Sequence, residues 1–382
     1  MPSVLSNGYF HDESDDDSKT IPYGEYLKGH PEKFYDPEFM QDMKDLLSGR
    51  RAGHAFHHVM TGEGYRLWEQ FTRAVDTTYY PFNDEAQLIE SNPDWFRITS
   101  GLAVGEGSIV AELGTGSEYS AQRKTMPFIE AVNASVYVGV DKSIDSVISV
   151  LGYINDNRPQ TKLFMRLNDF NKDALQLDWQ DLPSPILTEA HEWYGFAKQE
   201  MSKEEPKTRI LAQFGTTLGN IEAFIDDEPP MNKVVANLRN YRANMRPGDK
   251  LFLGLDQNQD EASLHSSYSS PIIAKFSLEM LRRIGNELPV KGNFNPDDFD
   301  YVRMWNKRNG LYFHGYEFKK TGHFWLGDEK IKTSKNSKVS YVNTWKLSQE
   351  FMETAFKLSD LKQIGRLDGA GNRIHIHALE AI

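Results

Sequence analysis

The chain has 382 residues, 39% hydrophobic and 26% charged, a balance that suits a globular protein and excludes a disordered or membrane-embedded one. A formal net charge of −12 argues against broad nucleic-acid binding, which needs a basic surface, and leaves a small molecule as the default partner. No cysteine is present, which rules out disulfides, thiolate metal sites and thiol nucleophiles.

Residues 1–20 contain Asp12-Glu13-Ser14-Asp15-Asp16-Asp17-Ser18, a self-repelling run read as a disordered acidic tail. The first residues show no secretory signal, and no apolar run is long enough to span a bilayer. A cytoplasmic protein that does not engage membranes is therefore expected. Residues 21–90 are read as a helical part of a substrate domain. Phe39, Met43 and Leu46-Leu47, then Leu67, Trp68 and Phe71, recur at helical spacing. Between these groups lies a polar segment ending in Met60-Thr61-Gly62-Glu63-Gly64.

From Ser108 onward short apolar strands alternate with helical stretches. Strands are expected at Ile109–Leu113, Ser135–Val140, Leu163–Leu167, Arg209–Phe214 and Lys250–Leu255, with helices at Thr125–Val132 and Val234–Met245. Strands joined by crossover helices imply a mostly parallel sheet. Leu361–Leu367 and Arg373–Leu379, joined by Asp368-Gly369-Ala370-Gly371-Asn372, read as a terminal antiparallel hairpin. The expected fold is α/β, a class I methyltransferase Rossmann-like sheet with a C-terminal antiparallel hairpin, plus a smaller α+β substrate-recognition domain. The core is assigned to 91–257, a substrate-recognition insertion rich in aromatics to 258–345, and a final helix and hairpin to 346–382. The stretch 176–208 is longer than a normal connection.

The segment Glu112-Leu113-Gly114-Thr115-Gly116 follows the first strand of the sheet, where open α/β sheets bind ligands. Gly114 and Gly116 let the backbone turn sharply beside a ligand. Such a loop is weak evidence alone, since dinucleotide enzymes use similar ones. Asp141 ends the second strand, where a carboxylate can accept both ribose hydroxyls. Asp169 and Phe170 follow the third, offering an acceptor for an adenine amino group and an aromatic face. The dehydrogenase pattern wants a small residue three places after Gly116, and Tyr119 stands there. The combination points to S-adenosylmethionine rather than a nicotinamide cofactor.

Four further segments carry a resemblance: Gln213-Phe214-Gly215-Thr216-Thr217-Leu218-Gly219-Asn220-Ile221, Pro247 to Asp256, Phe294-Asn295-Pro296-Asp297-Asp298-Phe299 with Trp305, and Tyr79-Tyr80-Pro81. In order and spacing they resemble the histidine-specific-type methyltransferase family from about Met60 to the C-terminus. That family includes the histidine Nα-methyltransferase of ergothioneine biosynthesis and the dimethylallyltryptophan N-methyltransferase of ergot alkaloid biosynthesis. The resemblance implies that Glu112, Gly114, Gly116, Asp141, Asp169 and Phe170 hold the cofactor. It implies that Asn220 grips the amino-acid end of an acceptor, that Tyr79, with Tyr80 beside it, lies near the amine, and that Tyr268 meets the carboxylate. Two departures stand out. Val59-Met60-Thr61 replaces a Phe-Tyr-Asp segment, and Val342-Asn343-Thr344 replaces the Glu-Val-Ser segment that binds imidazole. Thr344 stays as a substrate-binding candidate while the carboxylate is lost.

The expected activity is methyl transfer to the α-amino nitrogen of an amino acid, aromatic rather than histidine, or to an alkaloid precursor derived from one. The alternatives are O-methyl or aminocarboxypropyl transfer, histidine Nα-methylation, and a non-catalytic binder of the same fold. Oligomeric state is not readable. His54, His57 and His58 show no spaced carboxylate partner, so no metal is expected. His375 and His377 alternate on one strand face and read as structural.

Overall fold

The computed structural model describes residues 36–74, 79–170 and 208–382, together with four short strand segments before residue 199 and a few isolated positions near 175. The 12–19 part of the acidic tail, and its first residues, lie outside the described residues. Strands β1 (Tyr9–His11) and β2 (Thr20–Pro22), on either side of the acidic run, pair antiparallel. Aromatic and β-branched residues flank the charges there, and those types favour strands.

Five helices open the main described part: α1 (Pro37–Leu47), α2 (Phe56–Val59), α3 (Glu63–Ala74), α4 (Tyr80–Ser91) and α5 (Pro93–Thr99). Asp36 caps α1 by accepting from the backbone N–H groups of Glu38 and Phe39, with Pro37 at the position where proline fits a helix. The core then alternates. Strand β3 (Ser108–Leu113) leads to a helical run, α6, made of Glu118–Ser120, a π-turn at Ala121–Thr125 and Met126–Ala131. It begins earlier than Thr125 because Ser117 caps it, accepting from the N–H of Ser120. The polar stretch Glu118–Lys124 hides the apolar period there. Next come β4 (Ala134–Asp141), α7 (Ile144–Asn157) and β5 (Lys162–Leu167). Within the long 176–208 connection β6 (Pro183–Leu187) and β7 (Trp193–Lys198) form an antiparallel ribbon. Then follow β8 (Arg209–Gln213), α8 (Met231–Arg242) and β9 (Lys250–Asp256). Helix α8 starts three residues before the expected Val234, directly after Pro230.

The insertion contributes α9 (Glu261–Ser267), α10 (Pro271–Glu287), β10 (Val290–Gly292), β11 (Phe299–Asn306), β12 (Leu311–Phe318), β13 (Gly322–Leu326), β14 (Glu329–Thr333) and β15 (Lys338–Trp345). It forms two three-stranded sheets, β11-β12-β15 and β10-β13-β14. Helix α11 (Gln349–Leu358) returns the chain to the core, and β16 (Leu361–Asp368) with β17 (Ile374–Ala381) ends it.

The principal sheet has seven strands in the order β16-β17-β9-β8-β3-β4-β5. Its five strands from β9 to β5 form four parallel pairs, and β17 and β16 join the sheet antiparallel. This is the class I methyltransferase sheet with its terminal hairpin. Side chains alternate between the two faces as strand geometry requires. Val110, Tyr137 and Met165 join the core under α4 to α7. Ile109, Ala111, Val136 and Val138 join the core under α8 and α11. The order reverses about β3, since the chain runs outward to β4 and β5 and then crosses back to β8. A crevice is left at the carboxyl ends of β3, β4, β5 and β8. Among the described residues no helix is long and apolar enough to cross a membrane.

Candidate active site

One cavity runs from those strand ends to the inserted β12 and β15, and ten of the eleven candidate residues line it: Tyr79, Glu112, Gly114, Gly116, Asp141, Asp169, Phe170, Asn220, Tyr268 and Thr344. At the strand ends, Gly114 (φ +81°) and Gly116 (φ +76°) take left-handed conformations that favour glycine. The N–H of Gly114 donates to the carbonyl of Val140, and that of Asn168 to the carbonyl of Asp141. The ends of β3, β4 and β5 are thereby laced together. Glu112 is buried beneath the loop, where Tyr137 (2.6 Å) and Thr125 (2.9 Å) both donate to Oε2. Desolvation raises its carboxyl to about 7 against those donors. Asp141 accepts the N–H of Ser143 at 2.8 Å. Burial raises its carboxyl to about 6, opposed by the backbone N–H groups of Ser143, Thr115, Lys142 and Gly116. Lys142 lies 3.9 Å from Asp169.

This end has polar capacity to spare. Among the described residues, Thr115 Oγ1 and Asn168 Oδ1 are buried with no hydrogen-bond partner, the state expected of groups that await a polar ligand. Glycines at positive φ, a recessed carboxylate and unsatisfied acceptors together fit an adenosine-type group.

The other end is aromatic. Phe56, Met60, Trp68, Tyr79, Tyr268, Ile273, Phe276, Tyr341 and Val342 line it. The rings of Tyr79 and Tyr268 meet edge-on at 5.5 Å. Burial drives both phenols well above their ordinary range, so at neutral pH neither takes up a proton as phenolate. Asn220 follows the tight turn Thr217–Gly219, which Gly215 (φ +80°) and Thr216 (φ +58°) enter in left-handed conformations. A Cβ on Gly219 would stand 2.7 Å from the carbonyl oxygen of Trp345. Glycine therefore lets this turn close onto the end of β15, bringing Asn220 and Thr344 to the same cavity.

Tyr80 is the candidate that does not line the cavity. Buried, it donates to Asp256 Oδ2 at 2.8 Å, and Lys346 Nζ meets the same oxygen at 2.5 Å. Tyr79 precedes the helix with non-helical backbone while Tyr80 is its first residue, and the two side chains diverge, Tyr79 to the cavity and Tyr80 to Asp256. His314 was not apparent from sequence. The β12–β15 register slips between His314 and Gly315, and a bulge of this kind re-aims a side chain. His314 faces the cavity with Tyr301 at 2.7 Å from Nδ1. Burial, then the nearby Lys346, Arg303 and His265, hold its pKa well below the usual range.

Residues 41–381 match the profile of the family described as histidine-specific methyltransferase, SAM-dependent. The chain belongs to that family. This methyltransferase is 24% identical over 245 residues to the histidine N-alpha-methyltransferase of Mycobacterium tuberculosis, a match covering 64% of this chain and 63% of that one. It is 27% identical over 176 residues to the uncharacterized protein y4iF of Sinorhizobium fredii, covering 45% of this chain and 56% of that one. The matches thus span less than two thirds of these relatives' own lengths. A solved S-adenosylmethionine-dependent methyltransferase from Clostridium acetobutylicum aligns at 8% identity and a TM-score of 0.40, covering 84% of this chain and 98% of that one.

The two histidine groups fare differently. His375 Nδ1 meets Asp368 Oδ1 at 2.7 Å and His377 Nδ1 meets Gln363 Oε1 at 3.0 Å, on the outer hairpin away from the cavity. For His54, His57 and His58 the expectation of no carboxylate partner is overturned. Helix α1 places Asp42 2.9 Å from His58 and Glu38 3.6 Å from His57. The carboxylates precede the histidines on a separate helix, so no spacing within the histidine segment reveals them.

Proposed function

We propose that this methyltransferase acts on the α-amino nitrogen of an amino acid, aromatic rather than histidine, or of an amine derived from one. The observation that carries the reading is the asymmetry of the cavity. All three carboxylates that line it, Glu112, Asp141 and Asp169, belong to the strand-end side. The acceptor side is walled by aromatics and by Val342 in the place where an imidazole-binding carboxylate is expected. A neutral imidazole has both a donor and an acceptor to satisfy, and each buried polar group left unpaired costs about 1–3 kcal/mol; an indole has only its one N–H to satisfy, and a phenyl ring has none.

S-adenosylmethionine supplies an electrophilic methyl carbon on a sulfonium. In this reading Gly114 and Gly116 admit it, Asp141 accepts from its ribose hydroxyls, and Asp169 and Phe170 frame the adenine. The remaining task is to hold a neutral amine in line with the methyl carbon. Asn220 can donate to a carboxylate and accept from an ammonium. Tyr268 donates to the carboxylate. Tyr79, a phenol at neutral pH, orients the nitrogen but does not remove its proton. That proton leaves to water before transfer. Tyr80 acts one step back, fixing the helix that presents Tyr79.

A second reading, histidine Nα-methylation, is favoured by the named Mycobacterium tuberculosis relative and by His314, a neutral ring at the acceptor end. A mass-spectrometric screen of histidine, tryptophan, tyrosine, phenylalanine and aromatic amines with S-adenosylmethionine separates the two. A gain of one or more methyl masses on tryptophan- or tyrosine-like acceptors is expected. Asn220→Ala should lower kcat/KM by on the order of 100-fold, equivalent to about 2.7 kcal/mol, with cofactor affinity kept. Methylation of histidine alone replaces the first reading by the second. Methylation at oxygen, or transfer of the larger aminocarboxypropyl group, ends both.

A further inference from the structure

Helices α1 and α2, the second of which lines the cavity through Phe56 and His57, bring four metal-ligating side chains to one point. Glu38 and Asp42 lie four residues apart on α1, so both leave the same face. His57 and His58 sit on α2. One candidate ligand atom from each of the four falls within 4.8 Å of all the others. His58 Nε2 is 2.9 Å from Asp42 Oδ2, His57 Nε2 is 3.6 Å from Glu38 Oε1, and His57 Nε2 is 3.8 Å from Asp42 Oδ2. A tetrahedral ion with bonds of about 2.0–2.1 Å needs neighbouring ligand atoms about 3.3 Å apart. These three edges bracket that value, and with every edge of the set within 4.8 Å the ligand atoms need to draw together by at most about 1.5 Å to close on an ion.

The opposite oxygens of both carboxylates are already held. Arg51 donates to Asp42 Oδ1 at 3.1 Å, and Lys142 donates to Glu38 Oε2 at 2.8 Å. Such outer contacts orient ligating carboxylates and direct Oδ2 and Oε1 towards the histidines. They also bring two positive charges near the point, which weakens affinity relative to a pair of free carboxylates. Two imidazoles with two carboxylates suit zinc, cobalt or nickel, while magnesium and calcium prefer oxygen alone.

We propose that Glu38, Asp42, His57 and His58 form a binding site for a divalent ion of the zinc class that pins α1 to α2 at the cavity wall. The ion lies beside the reaction space and takes no part in methyl transfer. His57 and Phe56 both line the cavity and Lys142 adjoins Asp141, so the ion stiffens the wall between the acceptor and cofactor ends.

The test uses the full chain, freed of any affinity tag and dialysed against a chelator. Zn²⁺ is titrated by calorimetry, and Co²⁺ by visible absorption. One Zn²⁺ per chain is expected, with the intense d–d bands of four-coordinate cobalt. Glu38→Gln and His57→Ala, at the more accessible positions, should each weaken Zn²⁺ binding by about tenfold or more. Circular dichroism checks that both variants fold. Absence of Zn²⁺ heat and of cobalt bands in the wild type, or unchanged affinity in both folded variants, overturns the site and leaves a hydrogen-bonded cluster. Neither readout depends on the acceptor, so this result is independent of the screen above.

Discussion

Asp141 is the residue whose chemistry reads most directly into a measurement. Its carboxyl titrates near 6 because burial opposes its charge more strongly than the four backbone N–H groups support it. Accepting from ribose hydroxyls needs the carboxylate. As pH falls through 6 that form is replaced by the acid, and at pH 5 about one tenth remains ionised. S-adenosylmethionine affinity should therefore weaken by about tenfold between pH 7.5 and pH 5, measured by calorimetry. In Asp141→Asn the profile should flatten at the weak level. A wild-type affinity that stays constant across this range would remove Asp141 from the cofactor contact. At this scale the strand-end candidates are legible because each directly follows a strand, and strand ends are local features of sequence. His314 and Met60 are not legible, because a bulge and a helix junction decide where they point. Tyr80 shows the complementary error: its neighbour's resemblance says nothing of its own direction.

Among the elements, the junction at the end of β9 is held by a buried ion pair. Asp256 accepts from Tyr80 of α4, from Lys346 just beyond β15, and from the N–H of Asn258. Asp256 and Lys346 are both almost fully buried. One side chain thus joins the principal sheet, the inserted sheet and the helix that bears Tyr79. Removing one member of a buried pair strands the other charge, at a cost of about 3–5 kcal/mol. Lys346→Met should lower stability to chemical denaturant by that amount, and adding Asp256→Asn should recover part of it. Equal loss in the single and double variants would show that packing, not charge, matters there. The elements themselves are mostly legible, since β3, β4, β5, β8 and β9 show apolar runs and the final hairpin shows its turn. The early start of α6 is hidden by polar residues, and the start of α8 by its proline. The insertion's division into two small sheets is hidden as well, because strand partners across many residues leave no local pattern.

For the whole molecule, the notable property of the cavity is how far apart its walls lie along the chain. Phe56 and Trp68 come from the first helices, Gly114 and Asp141 from the first strands of the core, Asn220 from the middle, and Val342 and Thr344 from β15. The parallel core and its family are legible from the glycine loop and the order of the motifs. The cavity's closure is not, because it depends on this long-range meeting. Contacts of large sequence separation form late, since loop closure must come before any reward. On dilution from denaturant, far-UV dichroism should recover first and S-adenosylmethionine binding measurably later, followed by stopped-flow and by ligand fluorescence or filter capture. Identical rate constants for the two signals would contradict this order. Until the last segment arrives the chain holds a sheet without a pocket, and cofactor affinity then serves as a clock for the final stage of folding.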